Sequence, residues 1–267
     1  MNEVVNNLVL SIFPGIDLLG RAFEEEGFCV VRGPDLLWGG DIALFHPPDG
    51  VFDGVIGGPP CGPHSKLRTL NRKRNCNHQE DLIPEYARVV NEGEPDWFLM
   101  ENGEFAYAPD CPAYSITEFK LNNRECPMPG QPYGPEQNRE RRFWFGVRGG
   151  LAPSLRDYVE IASENPIWTA AVTASGVAKP GTEHQRGKRL PRLYGWSSWA
   201  NLKKALRWMG LPKDFLDHTP FTLKGAHRVI GNGVPLPMGR AVAKAVRKAL
   251  SAMSAPEARV RELKESG

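Results

Sequence analysis

The chain has 267 residues, 41% of them hydrophobic and 24% charged; these ordinary globular values exclude fibrous, collagenous and wholly disordered classes. Its 33 Lys and Arg stand against 31 Asp and Glu, so the formal net charge of +2 announces no nucleic-acid partner by itself. No stretch approaches about 18 continuous apolar residues. The N-terminus, with Glu3 early and neither Lys nor Arg before Arg21, lacks a signal-peptide pattern; a soluble, cytoplasmic protein without membrane contact is therefore expected.

Leu8 to Phe13 is a short apolar run broken at Pro14-Gly15, and Leu18, Leu19, Ala22 and Phe23 follow at helical spacing: strand, tight turn, helix. Phe28 to Val31 predicts a second strand, ended by Gly33-Pro34, and Phe52 to Ile56 a third, stopped by Gly57-Gly58-Pro59-Pro60. Ile83 to Val90 has helical apolar spacing, and Trp97 to Met100 is a strand ending in Glu101-Asn102-Gly103. Residues 103–137, rich in Pro, Asn and Cys, read as loops around at most one short strand, and Arg142 to Val147 is a further strand. Short apolar strands alternating with helical connections point to an α/β fold with a parallel sheet, whose ligands lie beyond the strands' carboxyl ends.

Downstream, Gly149 to Arg192 is an irregular stretch rich in Gly, Pro, Ser and Thr. Leu202, Ala205, Leu206 and Met209 mark an amphipathic helix stopped by Gly210 and Pro212, and a last helix runs from Leu236 or Pro237 to about Leu250. A charged tail after Ser254 is expected to fray.

Cysteines at 29, 61, 76, 111 and 126 are odd in number and form no disulfide framework. Cys76, His78, Cys111 and Cys126 lack a compact Cys-x-x-Cys pair, so no metal is expected. Arg68, Arg72, Lys73 and Arg74 crowd one segment, and Lys179, Arg186, Lys188, Arg189 and Arg192 another; each is either a solvated face or a phosphate-binding surface.

Six segments change the weight of the lone Cys61 at the third strand's end. In order they are Phe13-Pro14-Gly15-Ile16-Asp17, Gly40-Asp41-Ile42, Gly57 through Cys61, Glu101-Asn102, Gln137-Asn138-Arg139-Glu140-Arg141 and Gly231-Asn232-Gly233-Val234-Pro235. Together they closely resemble the DNA (cytosine-5) methyltransferase family, over roughly residues 8–148 and 167–248. The resemblance implies a Rossmann-like S-adenosylmethionine-dependent methyltransferase fold with a small irregular second region. Residues 1–148 would form the catalytic and cofactor-binding domain, 149–199 a reduced target-recognition region, 200–254 helices returning to the first domain, and 255–267 a flexible tail.

It also implies a chemistry. Cytosine C5 is too weak a nucleophile to take a sulfonium methyl group, so a thiolate first adds at C6, and Cys61 is the residue in that position. Glu101 would hold or protonate ring N3, Arg141 would contact O2, and Arg139 would help hold the active-site loop. Phe13, Gly15, Asp17 and Leu18 would line the cofactor at the first strand-helix turn, with Asp41, Ile42 and Pro59 at its adenine and Asn232 and Val234 at its methionine end. Asp35 is the candidate carboxylate for the ribose, and equally a turn residue. Pro60, Ser65, Lys66, Arg68, Arg72, Lys73, Arg74, Arg189 and Arg192 are the candidate substrate contacts, toward double-stranded DNA from which the target base is flipped.

Three features depart from the family. Asp17 replaces its usual second glycine, Lys203-Lys204 stands where an Arg-Glu pair is usual, and Cys61-Gly62-Pro63-His64-Ser65 replaces a Pro-Cys-Gln-aromatic-Ser pattern. Only about twenty residues occupy the place of the family's target-recognition region, which implies a very short target, an accessory protein, or no dedicated readout. A compact monomeric prokaryotic or phage enzyme is the expectation. The same chemistry on RNA, on a free cytosine nucleotide or with a modified donor stays open, as does a non-catalytic DNA-binding regulator on this scaffold.

Overall fold

The structure is a computed structural model that describes residues 7–60, 80–172, 180–182 and 198–265. Its centre is a six-stranded sheet in the order β2-β1-β3-β4-β7-β5. The strands are β1 (Leu8–Ile12), β2 (Cys29–Arg32), β3 (Gly54–Gly57), β4 (Trp97–Asn102), β5 (Tyr114–Asn122) and β7 (Glu140–Arg148). The first four run parallel, whereas β7 pairs antiparallel with both β4 and β5. The expected all-parallel sheet is thus corrected to a mixed one. From β4 the chain crosses to β5 at the edge, parallel to β4, and then folds back so that β7 fits antiparallel between the two, the fold-back connection that an antiparallel pair allows.

Period-two alternation sorts the strand residues between two cores. Val9, Trp97, Leu99, Phe143 and Phe145 enter the larger one, with α1 (Leu18–Glu25), α3 (Trp199–Trp208), α4 (Leu223–Asn232) and α5 (Leu236–Glu265). Leu10, Ile12, Phe98, Met100 and Trp144 enter the other, under α2 (Ile83–Gly93). A second, three-stranded sheet joins β6 (Gln137–Asn138) to β8 (Ile167–Ala170) and β9 (Pro180–Thr182), the last two within the stretch expected to be irregular.

Three further elements differ from expectation. β5 has nine residues where at most one short strand among loops was expected, because this edge strand alternates exposed Glu118 and Lys120 with buried Phe119 and Leu121 and carries no continuous apolar run. Helix α4 went unread since its apolar face is only Ala226, Val229 and Ile230 between two glycines. Helix α5 continues past Leu250 to Glu265, where Glu257, Ala258, Arg259, Arg261 and Leu263 are strong helix formers. Among the described residues, no helix is long and apolar enough to cross a membrane.

Candidate active site

Chain order and sheet order diverge at β1: the chain passes to β2 on one side and then to β3 on the other. The crevice beyond the carboxyl ends of β1 and β3 is the topological switch point, where open α/β sheets bind ligands. Two turns form its walls.

The first follows β1. Phe13, Gly15 and Asp17 all have positive φ, at 55°, 56° and 52°, so the chain reverses within five residues before α1 begins. At Gly15 a Cβ would meet nothing within 4 Å, which leaves the backbone open toward the crevice. Asp35 lies just past β2 and accepts from Gly15 N at 2.8 Å and from Leu37 N at 2.7 Å. Its carboxylate therefore ties β2's end to the β1 turn, and a carboxylate's four lone-pair sites still leave room for a hydroxyl donor. Trp38 Nε1 donates to Gly15 O at 2.6 Å, and its ring lies 6.1 Å from that of Phe221, ahead of α4. Trp38 was missed at the sequence level; a tryptophan, with its polar handle, three residues after the candidate ribose carboxylate was the available signal.

Asp17 is buried and faces inward. Its carboxylate accepts from Ser11 Oγ at 2.9 Å and Gly20 N at 3.0 Å and pairs with Arg32 Nε at 2.9 Å. It thus caps α1 and holds the end of β2. Burial raises its pKa, against the lowering effect of Ser11 and Arg32. A cavity of about 530 Å³ opens beside it along α1, but the charges that line it are paired among themselves: Arg32 with Asp17 and Glu24, Arg21 with Glu25. It belongs to the flank of α1 and not to the crevice.

Leu18 and Val234 are buried, and Gly233 passes so close to Leu18 that a Cβ there would stand 3.0 Å from its side chain. The carboxyl end of α4, with Asn232, is thereby brought to the start of α1. Asp41 caps a short 3-10 turn through Ala43 N at 3.0 Å, and the following Ile42 is buried.

The second turn follows β3. Asn102, buried at the end of β4, donates Nδ2 to Pro59 O at 3.1 Å and accepts from Gly103 N at 2.7 Å, fixing Gly58-Pro59-Pro60 against the neighbouring strand. Gly58 leaves room for the Glu101 carboxylate: a Cβ there would stand 2.8 Å from Glu101 Oε2 and push it aside. Glu101 and Arg141 project from the same face of the sheet: Glu101 is paired with Phe143, two residues along β7 from Arg141. That diagonal relation lets long side chains meet, and Arg141 Nε lies 2.9 Å from Glu101 Oε1. Burial pushes the Glu101 carboxyl above its ordinary pKa, while Arg141 and Arg139 pull it down.

Arg139 lies on the same alternation but deeper. Its guanidinium donates to Val172 O at 2.5 Å and to Gly231 O and Gly233 O, both at 3.1 Å. It joins the strand that carries Arg141 to the turn at Asn232. Cys61, Ser65, Lys66, Arg68, Arg72, Lys73, Arg74, Arg189 and Arg192 lie outside the described residues. Of the remaining cysteines, Cys111 and Cys126 are buried, and burial pushes the Cys111 thiol up to about 12.

The sheet order, the switch-point crevice and the two turns define a Rossmann-like fold of the S-adenosylmethionine-dependent methyltransferases, with a smaller helical C-terminal region. By sequence, the chain is homologous to the C5-cytosine DNA methyltransferases. The family model described as C-5 cytosine-specific DNA methylase matches residues 39–123, from before β3 to the end of β5. The type II methyltransferase M.NgoPII of Neisseria gonorrhoeae is 25% identical over 205 residues, which is 62% of this chain and 58% of that protein. M.SacI of Streptomyces achromogenes is 48% identical over 106 residues, 37% of this chain and 27% of that one. The chain thus spans less than two thirds of either relative. Among solved structures, the S. pombe Dnmt2 methyltransferase superposes with a TM-score of 0.54 at 13% identity, covering 92% of this chain and 99% of that one, a likeness of fold.

Proposed function

We propose that the chain transfers a methyl group from S-adenosylmethionine to C5 of a cytosine flipped out of duplex DNA. One observation carries the reading: the buried Glu101, paired at 2.9 Å with a partly buried Arg141, stands against Gly58 in the turn that leads into Cys61. A carboxyl held by burial above its ordinary pKa is suited to donate to cytosine N3, and the neighbouring guanidinium to bind O2. Cys61 loses its proton and adds to C6, pushing the ring electrons toward C5 and N3. The proton on N3 absorbs that charge. After methylation a base takes the C5 proton, the electrons left behind expel the thiolate from C6, and N3 returns its proton to Glu101, which restores the aromatic ring.

S-adenosylmethionine supplies the electrophilic methyl group when bound. The crevice suits it: the space above Gly15 is open, and Leu36 and Trp38, beside the Gly15 turn that Trp38 bonds, are apolar yet 75% and 60% exposed, an apolar surface suited to an adenine. Phe13, Gly15, Leu18, Ile42, Pro59, Asn232 and Val234 would line it, with Asp35 toward the ribose and Asp41 toward the adenine; Asp17 would act from behind, through α1 and Arg32. Pro60, Ser65, Lys66, Arg68, Arg72, Lys73, Arg74, Arg189 and Arg192 are assigned to the DNA. The reading extends to a monomer in the cytoplasm of a prokaryotic or phage-infected cell. The short connection from β7 to β8 offers little chain for reading bases, so target choice is assigned to a very short sequence or to an accessory protein.

The test is incubation with labelled S-adenosylmethionine and duplex DNA, single-stranded DNA, RNA or cytosine nucleotides, followed by mass identification of the labelled base. Label in 5-methylcytosine from duplex DNA is expected, with a covalent adduct on 5-fluorocytosine DNA that Cys61→Ser abolishes. Label confined to RNA or nucleotide, or binding without transfer, refutes the reading.

A further inference from the structure

We infer that the solvent face of the α3–α4 helix pair is a docking surface for the phosphate backbone of duplex DNA, apart from the crevice. Residues 198–232 hold six Lys and Arg against two Asp. The distribution of partners sharpens that imbalance. Elsewhere, every lysine or arginine whose side chain is described meets a carboxylate, a carbonyl oxygen or an aromatic ring. Lys203, Lys204, Lys213, Lys224 and Arg228 are exposed and, among the described residues, have no ion-pair or hydrogen-bond partner.

Their positions follow helical spacing. On α3, Leu202, Ala205 and Leu206 enter the core while Lys203 and Lys204 face outward; on α4, Ala226 and Ile230 enter the core while Lys224 and Arg228, one turn apart, face outward. The two helices pack against each other, and Lys213 lies on the connection between them. Unpaired cations at this density repel one another, and a row of phosphates relieves that repulsion while releasing counterions.

The surface is mechanically joined to the site. Asn123 Nδ2 donates to Trp208 O at the end of α3, and Arg139, two residues before Arg141, grips Gly231 O and Gly233 O around the end of α4. A duplex held here is therefore held by elements that position the catalytic arginine. This also gives Lys203-Lys204 a role that its departure from the family pattern left unassigned.

The inference rests on the proposed action on DNA, and the experiment separates the two. Affinity for a duplex oligonucleotide is measured against salt for the wild type, for Lys203→Gln/Lys204→Gln/Lys224→Gln/Arg228→Gln, and for the control Lys244→Gln/Lys248→Gln, whose lysines pair with Glu160. Each phosphate deprived of its cation lowers the slope of log affinity against log salt by about 0.9, so four lower it by about 3.6; between 50 and 200 mM salt the wild type would lose about 150-fold more affinity than the variant. A slope reduced by more than about 2 in the quadruple variant alone, with cofactor binding and the low-salt 5-fluorocytosine adduct retained, is expected. A smaller change, or one the control matches, overturns the surface while a wild-type adduct keeps the proposed function standing. A slope change seen on an RNA duplex and not on DNA overturns it in favour of an RNA partner, and a wild type that neither binds nor traps duplex DNA overturns both.

Discussion

Replacing Arg139 by methionine removes the guanidinium and keeps most of the apolar stem. Three carbonyls, those of Val172, Gly231 and Gly233, then lose a charged donor in a buried setting. Hydrogen bonds to charged groups contribute about 1.5–3 kcal/mol each, which sets a gross loss of about 4–9 kcal/mol. Carbonyls have two lone pairs and water can enter the vacated space, so roughly half of that, about 2–5 kcal/mol, is expected in practice. Against a total of about 5–15 kcal/mol for a typical domain, this is a large share. Arg139→Lys keeps the charge but not the planar fork that reaches two carbonyls on one turn and a third on another, so its loss should fall between wild type and methionine.

Urea denaturation of the three proteins, with midpoints and slopes compared, measures the loss directly. Calorimetric titration with S-adenosylmethionine on the folded variants then reads whether the turn at Asn232 has loosened. The expected result is a weaker cofactor affinity in Arg139→Met, partly recovered in Arg139→Lys. A methionine variant within about 1 kcal/mol of wild type would refute the view that this arginine joins the strand of Arg141 to the turn at Asn232.

Glu101→Gln should lower kcat/KM by about 10²–10⁴-fold with cofactor affinity unchanged, as loss of a positioned acid does; a decrease under tenfold in a methyl-transfer assay contradicts its role. Asn102→Ala frees the Pro59 carbonyl and should lower kcat by about 10²-fold through misplacement of Cys61, with little effect on the cofactor Kd; equal losses in both would mean that the whole crevice has shifted. Asp17 and Glu101 both have pKa values raised by burial, so the folded chain binds more protons than the unfolded one in the window above their ordinary values of 3.8 and 4.5. The stability they contribute is present below that window and is lost as pH rises through the raised values, and Asp17→Asn should flatten the decline in denaturation midpoint; an unchanged pH slope counts against the burial argument.

The sequence made the first half of the fold legible because β1, β3 and β4 are buried on both faces and so appear as short apolar runs ended by Gly or Pro. β5 and α4 were hidden for the opposite reason: an edge strand and a short helix bury only every second or every third to fourth residue, and here the alternating positions include charged ones. The site was partly legible in the same way. Glu101 and Arg141 carry functional groups that a motif can name, and their 2.9 Å pairing follows once β4 and β7 are known to be antiparallel. Arg139, Asn102 and Asp17 act through backbone carbonyls, a turn and a helix cap, and their partners lie from 1 to 94 residues away in sequence. No spacing rule announces such bonds, since they depend on which strand lies beside which. Asp17 marks the difference most clearly: seen as a departure from a glycine it suggested a cofactor contact, whereas its bonds to Ser11, Gly20 and Arg32 turn the same carboxylate into the support of the turn on which that contact depends.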